Sequence, residues 1–192
     1  MTFVYIVRCN FTAPDQEQAW NDWYGGPKIE QMLRNPYFLT CQRFRRTSGR
    51  GRDYLALWTI QKPEAMTTPQ YLAQWGFADW APLITDWSRD LFDGRPSPQQ
   101  AFAVAPGGGL HVASFEGMTA DAADAARAAV AKSQPRMLWL PIAGLDRHTP
   151  LIGLCPLPDL AAPRFDEGPA AGVNQAIYRP ISALHTAGRS AA

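Results

Sequence analysis

The chain has 192 residues, 46% of them hydrophobic and 18% charged, with a formal net charge of +1. That length buries a sizeable core, as one larger domain or two small ones. The near-neutral balance leaves no basic footprint for nucleic acid and no polybasic membrane surface, so neither is expected as a partner. The apolar run at residues 3–7 is too short for a signal segment or a membrane span and meets Arg8 at once. Cys9, Cys41 and Cys155 are odd in number and show no paired spacing, which reads as free thiols in a reducing cytoplasm. Only three histidines occur, His111, His148 and His185, and no HExxH or phosphate-binding glycine motif can be written. Neither a metal nor another cofactor is therefore expected.

Residues 3–11 alternate into a first strand whose faces, Phe3, Tyr5, Val7, Cys9 and Val4, Ile6, Arg8, Asn10, both begin apolar. Such a strand should be covered on each side. Arg8 and Asn10 then either reach water at the strand end or form a pocket floor. Pro14-Asp15 opens a helix carrying Trp20 and Trp23 on one face. Gly25-Gly26-Pro27 breaks it, and a second short helix carries Ile29, Met32 and Leu33 up to Asn35-Pro36. The next strand puts Arg43 and Arg45 on one face and Gln42, Phe44 and Arg46 on the other. An inward guanidinium there would clamp a carboxylate or phenolate; the alternative is a solvated edge.

After a turn at residues 47–53, the strand at residues 54–61 has an aliphatic face, Leu55, Leu57 and Thr59, that a helix would cover. Its other face sets a small Ala56 between Tyr54 and Trp58, which leaves a hollow. Thr68-Pro69 caps a helix over residues 68–87 with a kink at Pro82, and a fourth strand approaches at 87–92. Residues 93–109 are rich in Pro, Gly and Gln and read as a connection.

The second half offers a strand at 110–117 and an alanine-rich helix at 120–134 capped by Thr119. Strands follow at 136–144 and 149–157, then a Pro/Gly-rich segment at 159–172 and a last strand at 174–182. Between the first two of these, Asp146, Arg147 and His148 read as a solvated turn. The order of elements repeats that of the first half, as a repeat of pattern and not of residues.

The segments W-x-x-W-Y, I-x-x-M-L, P-Y-F, C-Q-R-F-R, Y-L-A-L-W-x-I and P-E-A, all within residues 3–92, resemble the dimeric α+β barrel superfamily of ferredoxin-like domains. The likeness is to its EthD-like and antibiotic-biosynthesis-monooxygenase-like members. It implies two ferredoxin-like βαββαβ modules forming a pseudo-dimeric α+β barrel, the second module with a degenerate second helix. The modules would span 1–95 and 110–184, joined by a linker at 96–109 and followed by a disordered tail at 185–192. Their sheets would close around one ring-lined hollow. The resemblance further implies a small-molecule site between sheet and helices, and cofactor-free monooxygenases, lyases, isomerases and heme-binding proteins occur in the group. Many relatives place a histidine after the W-x-x-W/Y segment. This chain has Gly25-Gly26-Pro27-Lys28, so Lys28 takes that role, chemistry moves elsewhere, or the module only shapes a pocket.

The expected enzyme is a cofactor-independent lyase, a decarboxylase or retro-aldol type, acting on a small aromatic anion. A cofactor-free monooxygenase or isomerase is the alternative, as is a binding protein without catalysis. His111 and Tyr178 are the candidate proton carriers. Arg8, Asn10, Arg43, Tyr54, Trp58, Trp139 and Arg179 are the candidate substrate contacts. A homodimer is left open.

Overall fold

The computed structural model describes residues 2–94, 102–160 and 172–188. Eight strands pair antiparallel into one closed barrel: β1 (Phe3–Phe11), β2 (Phe38–Gly49), β3 (Tyr54–Ile60), β4 (Ile84–Asp93), β5 (Gly109–Ser114), β6 (Leu138–Leu145), β7 (Leu151–Leu157) and β8 (Asn174–Pro180). Their order is β3-β1-β4-β6-β7-β5-β8-β2, and β2 returns to β3. A two-residue strand, β9 (His185–Thr186), adds to β2 beside Cys41 and Thr40. The expected disordered tail thus begins in a ladder, while residues 189–192 lie outside the described residues.

This corrects the expectation of two ferredoxin-like modules with separate facing sheets. The pairs β4–β6 and β2–β8 join the halves edge to edge into a single antiparallel barrel, and helices are few. Closure leaves no exposed sheet edges, which is why both halves need each other's strands. The degenerate helix expected near 159–172 lies largely outside the described residues, as does most of the linker at 96–109.

A second correction concerns the hollow. Val4, Ile6, Phe44, Leu55, Leu57, Phe92, Leu110, Val112, Leu140, Ile152 and Leu154 point into the barrel and fill it, together with Phe102 and Val104 from the connection. The aliphatic face of β3 therefore faces its own barrel and not a helix. Gln42 locks the connection in place: its side-chain amide donates to the Val104 carbonyl (2.8 Å) and its carbonyl accepts from the Val104 amide (2.9 Å).

Helices lie outside. α1 (Glu17–Trp23) and α2 (Ile29–Leu33) are joined without a break by a π turn, Tyr24–Lys28. Pro27 has no N–H to give, and the two glycines favour no tight helix, so the wider turn carries the chain through. α3 (Pro69–Gln74) starts as expected, with the Thr68 hydroxyl accepting from the Tyr71 amide, but ends early. Gly76, at φ +93, turns the chain away before Pro82 is reached. β4 accordingly begins at Ile84, earlier than the sequence suggests. α4 (Ala120–Ser133) covers the second half, capped by Thr119.

Candidate active site

The outer faces of β1, β3 and β4 make the floor of a cleft, and the helical cover of the first half makes its roof. Register places Tyr5 beside Trp58, and Val7 between Ala56 and Arg89. The small Ala56 leaves space between large rings, as the alternation along β3 suggests. Tyr24 and Lys28 descend from the π turn and Met32 from α2, and Trp75, Gly76 and Phe77 close the side after α3. The cavity itself is small, about 50 Å³, and opens to solvent between the rings. Trp75 and Trp87, each roughly two-fifths exposed, flank that mouth with ring centroids 6.2 Å apart. Its aromatic lining suits a flat ring, which enters fully only if the exposed rings at the mouth move apart.

Two cations enter this apolar space. Lys28 is buried, and its ammonium donates to the Gln74 carbonyl. Desolvation lowers its pKa to about 8, so a neutral amine is accessible near physiological pH. From the floor, the Arg89 guanidinium donates to the Tyr71 hydroxyl at 3.0 Å, and Tyr71 shares a 3.3 Å hydrogen bond with the Tyr5 hydroxyl. Arg89 also lies over the Trp75 ring, 4.1 Å from its centroid. Burial raises the Tyr5 pKa well above the usual phenol range, so Tyr5 stays a donor. Burial raises the Tyr24 pKa well above the usual phenol range, only partly opposed by the nearby Trp58 indole, whose N–H is buried with no hydrogen bond among the described residues. A cleft with an amine on its roof and a guanidinium–phenol chain on its floor can remove a proton from a bound aromatic and hold the resulting oxyanion.

Of the candidate proton carriers and substrate contacts, only Trp58 lines this cleft, together with Lys28, weighed above in place of the histidine. Arg43 points away from the barrel, yet it is sealed under α1. Its guanidinium sits 4.8 Å from the Trp20 ring centroid and 4.3 Å from that of Tyr24, and donates to both oxygens of Asn21 at 3.1 and 2.9 Å. It anchors the helix. Tyr54 donates to Glu17 and accepts from Asn21 at 3.3 Å on the same side. Asn10 accepts from the Asp53 amide, 2.8 Å, which fixes the turn after β2.

Arg8 and Tyr178 meet elsewhere, in a small polar cavity of the barrel interior. Arg8 donates to Ser114 (2.6 Å), Thr149 (2.6 Å) and Asp90 (3.0 Å), and Tyr178 donates to the Arg52 carbonyl (2.8 Å). Burial lifts the Tyr178 pKa to about 12. His111 lies under the second half's outer face, with Nε2 3.1 Å from Gln175 Oε1, and burial depresses its pKa, so it is neutral at pH 7. Trp139 packs edge-on against Phe115 on that face, and Arg179 is exposed beside Arg45. The two proton carriers expected from sequence, His111 and Tyr178, therefore sit on opposite faces of the barrel wall, as their neighbours Val112 and Ile177 confirm by packing inward and outward in turn.

The residues missed are Tyr5, Tyr71 and Arg89. Tyr5 and Trp58 share the outward set of their strands, which alternation does reveal. Arg89 carried no signal beyond a charge in a strand, and Lys28 was marked only by the missing histidine.

No family model matches the chain, and no curated protein matches it. Solved structures do. A protein described as anthrone oxidase-like superposes with a TM-score of 0.64 at 10% identity, covering 100% of this chain and 95% of the other. A candidate monooxygenase from Lactobacillus acidophilus NCFM gives 0.54 at 10% identity, with 98% of each chain covered. A candidate chlorite dismutase gives 0.53 at 13% identity over 94% and 95%. At these identities the likeness is one of fold alone. Among the described residues, no histidine lines the aromatic cleft or the cavity of Arg8 and Tyr178. Among the described residues no cluster of metal ligands occurs, and no helix is long and apolar enough to cross a membrane. Cys9, Cys41 and Cys155 are free and buried.

Proposed function

We propose that the chain is a cofactor-independent oxygenase of a flat, enolisable phenolic compound, with Lys28 as the general base. The observation that carries this is the pairing, across one aromatic cleft, of a desolvated lysine with the Arg89–Tyr71–Tyr5 chain. Rings such as Trp58 and Trp75 hold the planar body of the substrate and exclude water. Neutral Lys28 takes a proton from an activated ring CH2, and the charge moves to the substrate oxygen, which accepts from Tyr5 or Arg89. The delocalised carbanion gives one electron to dioxygen, and the radical pair joins as a carbon-bound peroxide, which Lys28 protonates. Lys28 takes the second C–H proton as the O–O bond breaks and returns it to the departing hydroxide, leaving a ketone and water: one CH2 and one O2 give one C=O and one H2O. The anthrone oxidase-like neighbour supports this class, since an anthrone is an enolisable aromatic of that kind.

The lyase reading needs the same stabilised anion but no oxygen, and the arginine and proton carriers first assigned to it do not meet in the cleft. Dithranol, a dihydroxyanthrone, is the test substrate. Oxygen uptake above the protein-free rate, one O2 per molecule and absent in Lys28→Met, is expected. Equal turnover of dithranol without oxygen, or no acceleration at all, would remove the assignment.

A further inference from the structure

Arg89 is placed by a residue from the other half of the chain. Asp146 follows β6 and meets Arg89 three times. Arg89 Nε donates to Asp146 Oδ1 at 3.2 Å, the Arg89 amide donates to Asp146 Oδ2 at 3.2 Å, and the Asp146 amide donates to the Arg89 carbonyl at 3.2 Å. The carboxylate thus grips both the backbone and the side chain of one residue. It extends the β4–β6 seam one step beyond the pair Asp90–Leu145. Both side chains are about four-fifths shielded, so the ion pair is not a solvated surface contact.

The turn that carries Asp146 is unusual. Leu145 and Arg147, on either side of it, both adopt left-handed backbone, at φ +66 and +58. Neither is glycine, and Leu is among the residues that resist this region most. Such strain persists only where the surroundings over-determine it, and it gathers where geometry matters. With Nε held by Asp146 and one terminal nitrogen on Tyr71, the guanidinium plane is fixed against the Trp75 ring. Its remaining terminal nitrogen has no partner among the described residues, and Arg89 lines the cleft.

We propose that Asp146 is a positioning residue: it orients the Arg89 guanidinium so that an N–H is presented to the anionic oxygen of the cleft's ligand. The second half of the chain would then complete a site whose lining comes wholly from the first. This rests on the cleft being a phenolate site. An aspartate in that turn does what an Arg–carboxylate fork does at recognition sites, except that the ligand receives the second edge of the fork.

The test is titration of the full chain with alizarin, a coloured dihydroxyanthraquinone that binds as its phenolate and is already oxidised, so it is not turned over. Asp146→Ala should weaken binding about tenfold and Asp146→Asn, which keeps one acceptor, about threefold. In an Arg89→Ala background, Asp146→Ala should change affinity no further, because its effect passes through Arg89. A role confined to stability would move the unfolding temperature but leave the two substitutions multiplicative in affinity. In oxygen uptake the KM should rise with kcat within about twofold. Wild-type affinity in Asp146→Ala, or multiplicative effects with Arg89→Ala, overturns the proposal while leaving the cleft reading intact. Absence of alizarin binding by the unaltered chain overturns the cleft reading and this proposal together. Should Asp146→Ala fail to fold, the isosteric Asp146→Asn carries the same comparison.

Discussion

The two outer faces of the barrel make an informative pair. Each half contributes its strands in the same order, β2-β3-β1-β4 and β6-β7-β5-β8, and each has a helical cover. The second half's cover is α4, whose inward positions Ala123 and Val130 are small enough to settle closely on Phe115, Met137 and Cys155. Packing there is so tight that a Cβ on Gly153 would stand 2.3 Å from Met137 Sδ and 2.6 Å from Trp139 Cζ3. The first half's cover cannot settle in this way. Trp20 stacks on Phe11, Arg43 fills the gap beneath α1, and the π turn swings Lys28 inward, so the roof stands off the sheet. A solid interface results on one side and a cleft on the other. The difference comes from side-chain size, both on the covering helices and on the outward strand positions Phe11, Arg43 and Ala56.

The largest effect expected from that contrast is chemical. Lys28→Met should cost roughly 10²–10⁴-fold in dithranol turnover, whereas His111→Gln, on the filled face, should leave it within about twofold; steady-state oxygen uptake decides between them. Packing gives the next effect. Gly153→Ala should destabilise by about 1–3 kcal/mol through overcrowding, read from urea unfolding.

Titration separates the faces further. The folded pKa of Lys28, about 8, lies below its unfolded value, so the unfolded chain holds more protons between those limits. Stability should therefore rise with pH through that window on account of this residue. Acids with raised pKa values, such as Cys9 and Tyr54, act oppositely there, so the measurement is the difference between wild type and Lys28→Met. Lys28→Met should be at least as stable as wild type at pH 7, and that advantage should shrink as pH approaches the unfolded lysine value. The smallest effect belongs to Gly26→Ala in the π turn. Nothing lies within 4 Å of the added Cβ, so a gain of about 0.5–1 kcal/mol is expected from the reduced entropy of the unfolded chain. A loss there would mean that the turn relies on glycine's freedom.

Particular residues show what could be read in advance. The alternation of Tyr54, Ala56 and Trp58 against Leu55, Leu57 and Thr59 marks a strand with a hollow on its aromatic side, and the cleft lies there. Thr68-Pro69 and Thr119 mark helix starts that the structure keeps. Arg43 was legible as a buried or clamping guanidinium, but its partners are Asn21 and two rings and not a ligand. Asp146 reads as part of a solvated turn, because nothing nearby in sequence announces Arg89.

Local pattern alone determined which segments are strands or helices and which side chains share a face, since those depend on neighbours within a few residues. Tertiary structure decided which face is inside. The pairings β4–β6 and β2–β8 join strands far apart in the chain, and closing the sheet on itself turned the aliphatic faces inward and left the aromatic ones under helices. Burial of Lys28 and the grip of Asp146 on Arg89 follow from that closure, because desolvation and long-range ion pairs exist only once distant segments meet.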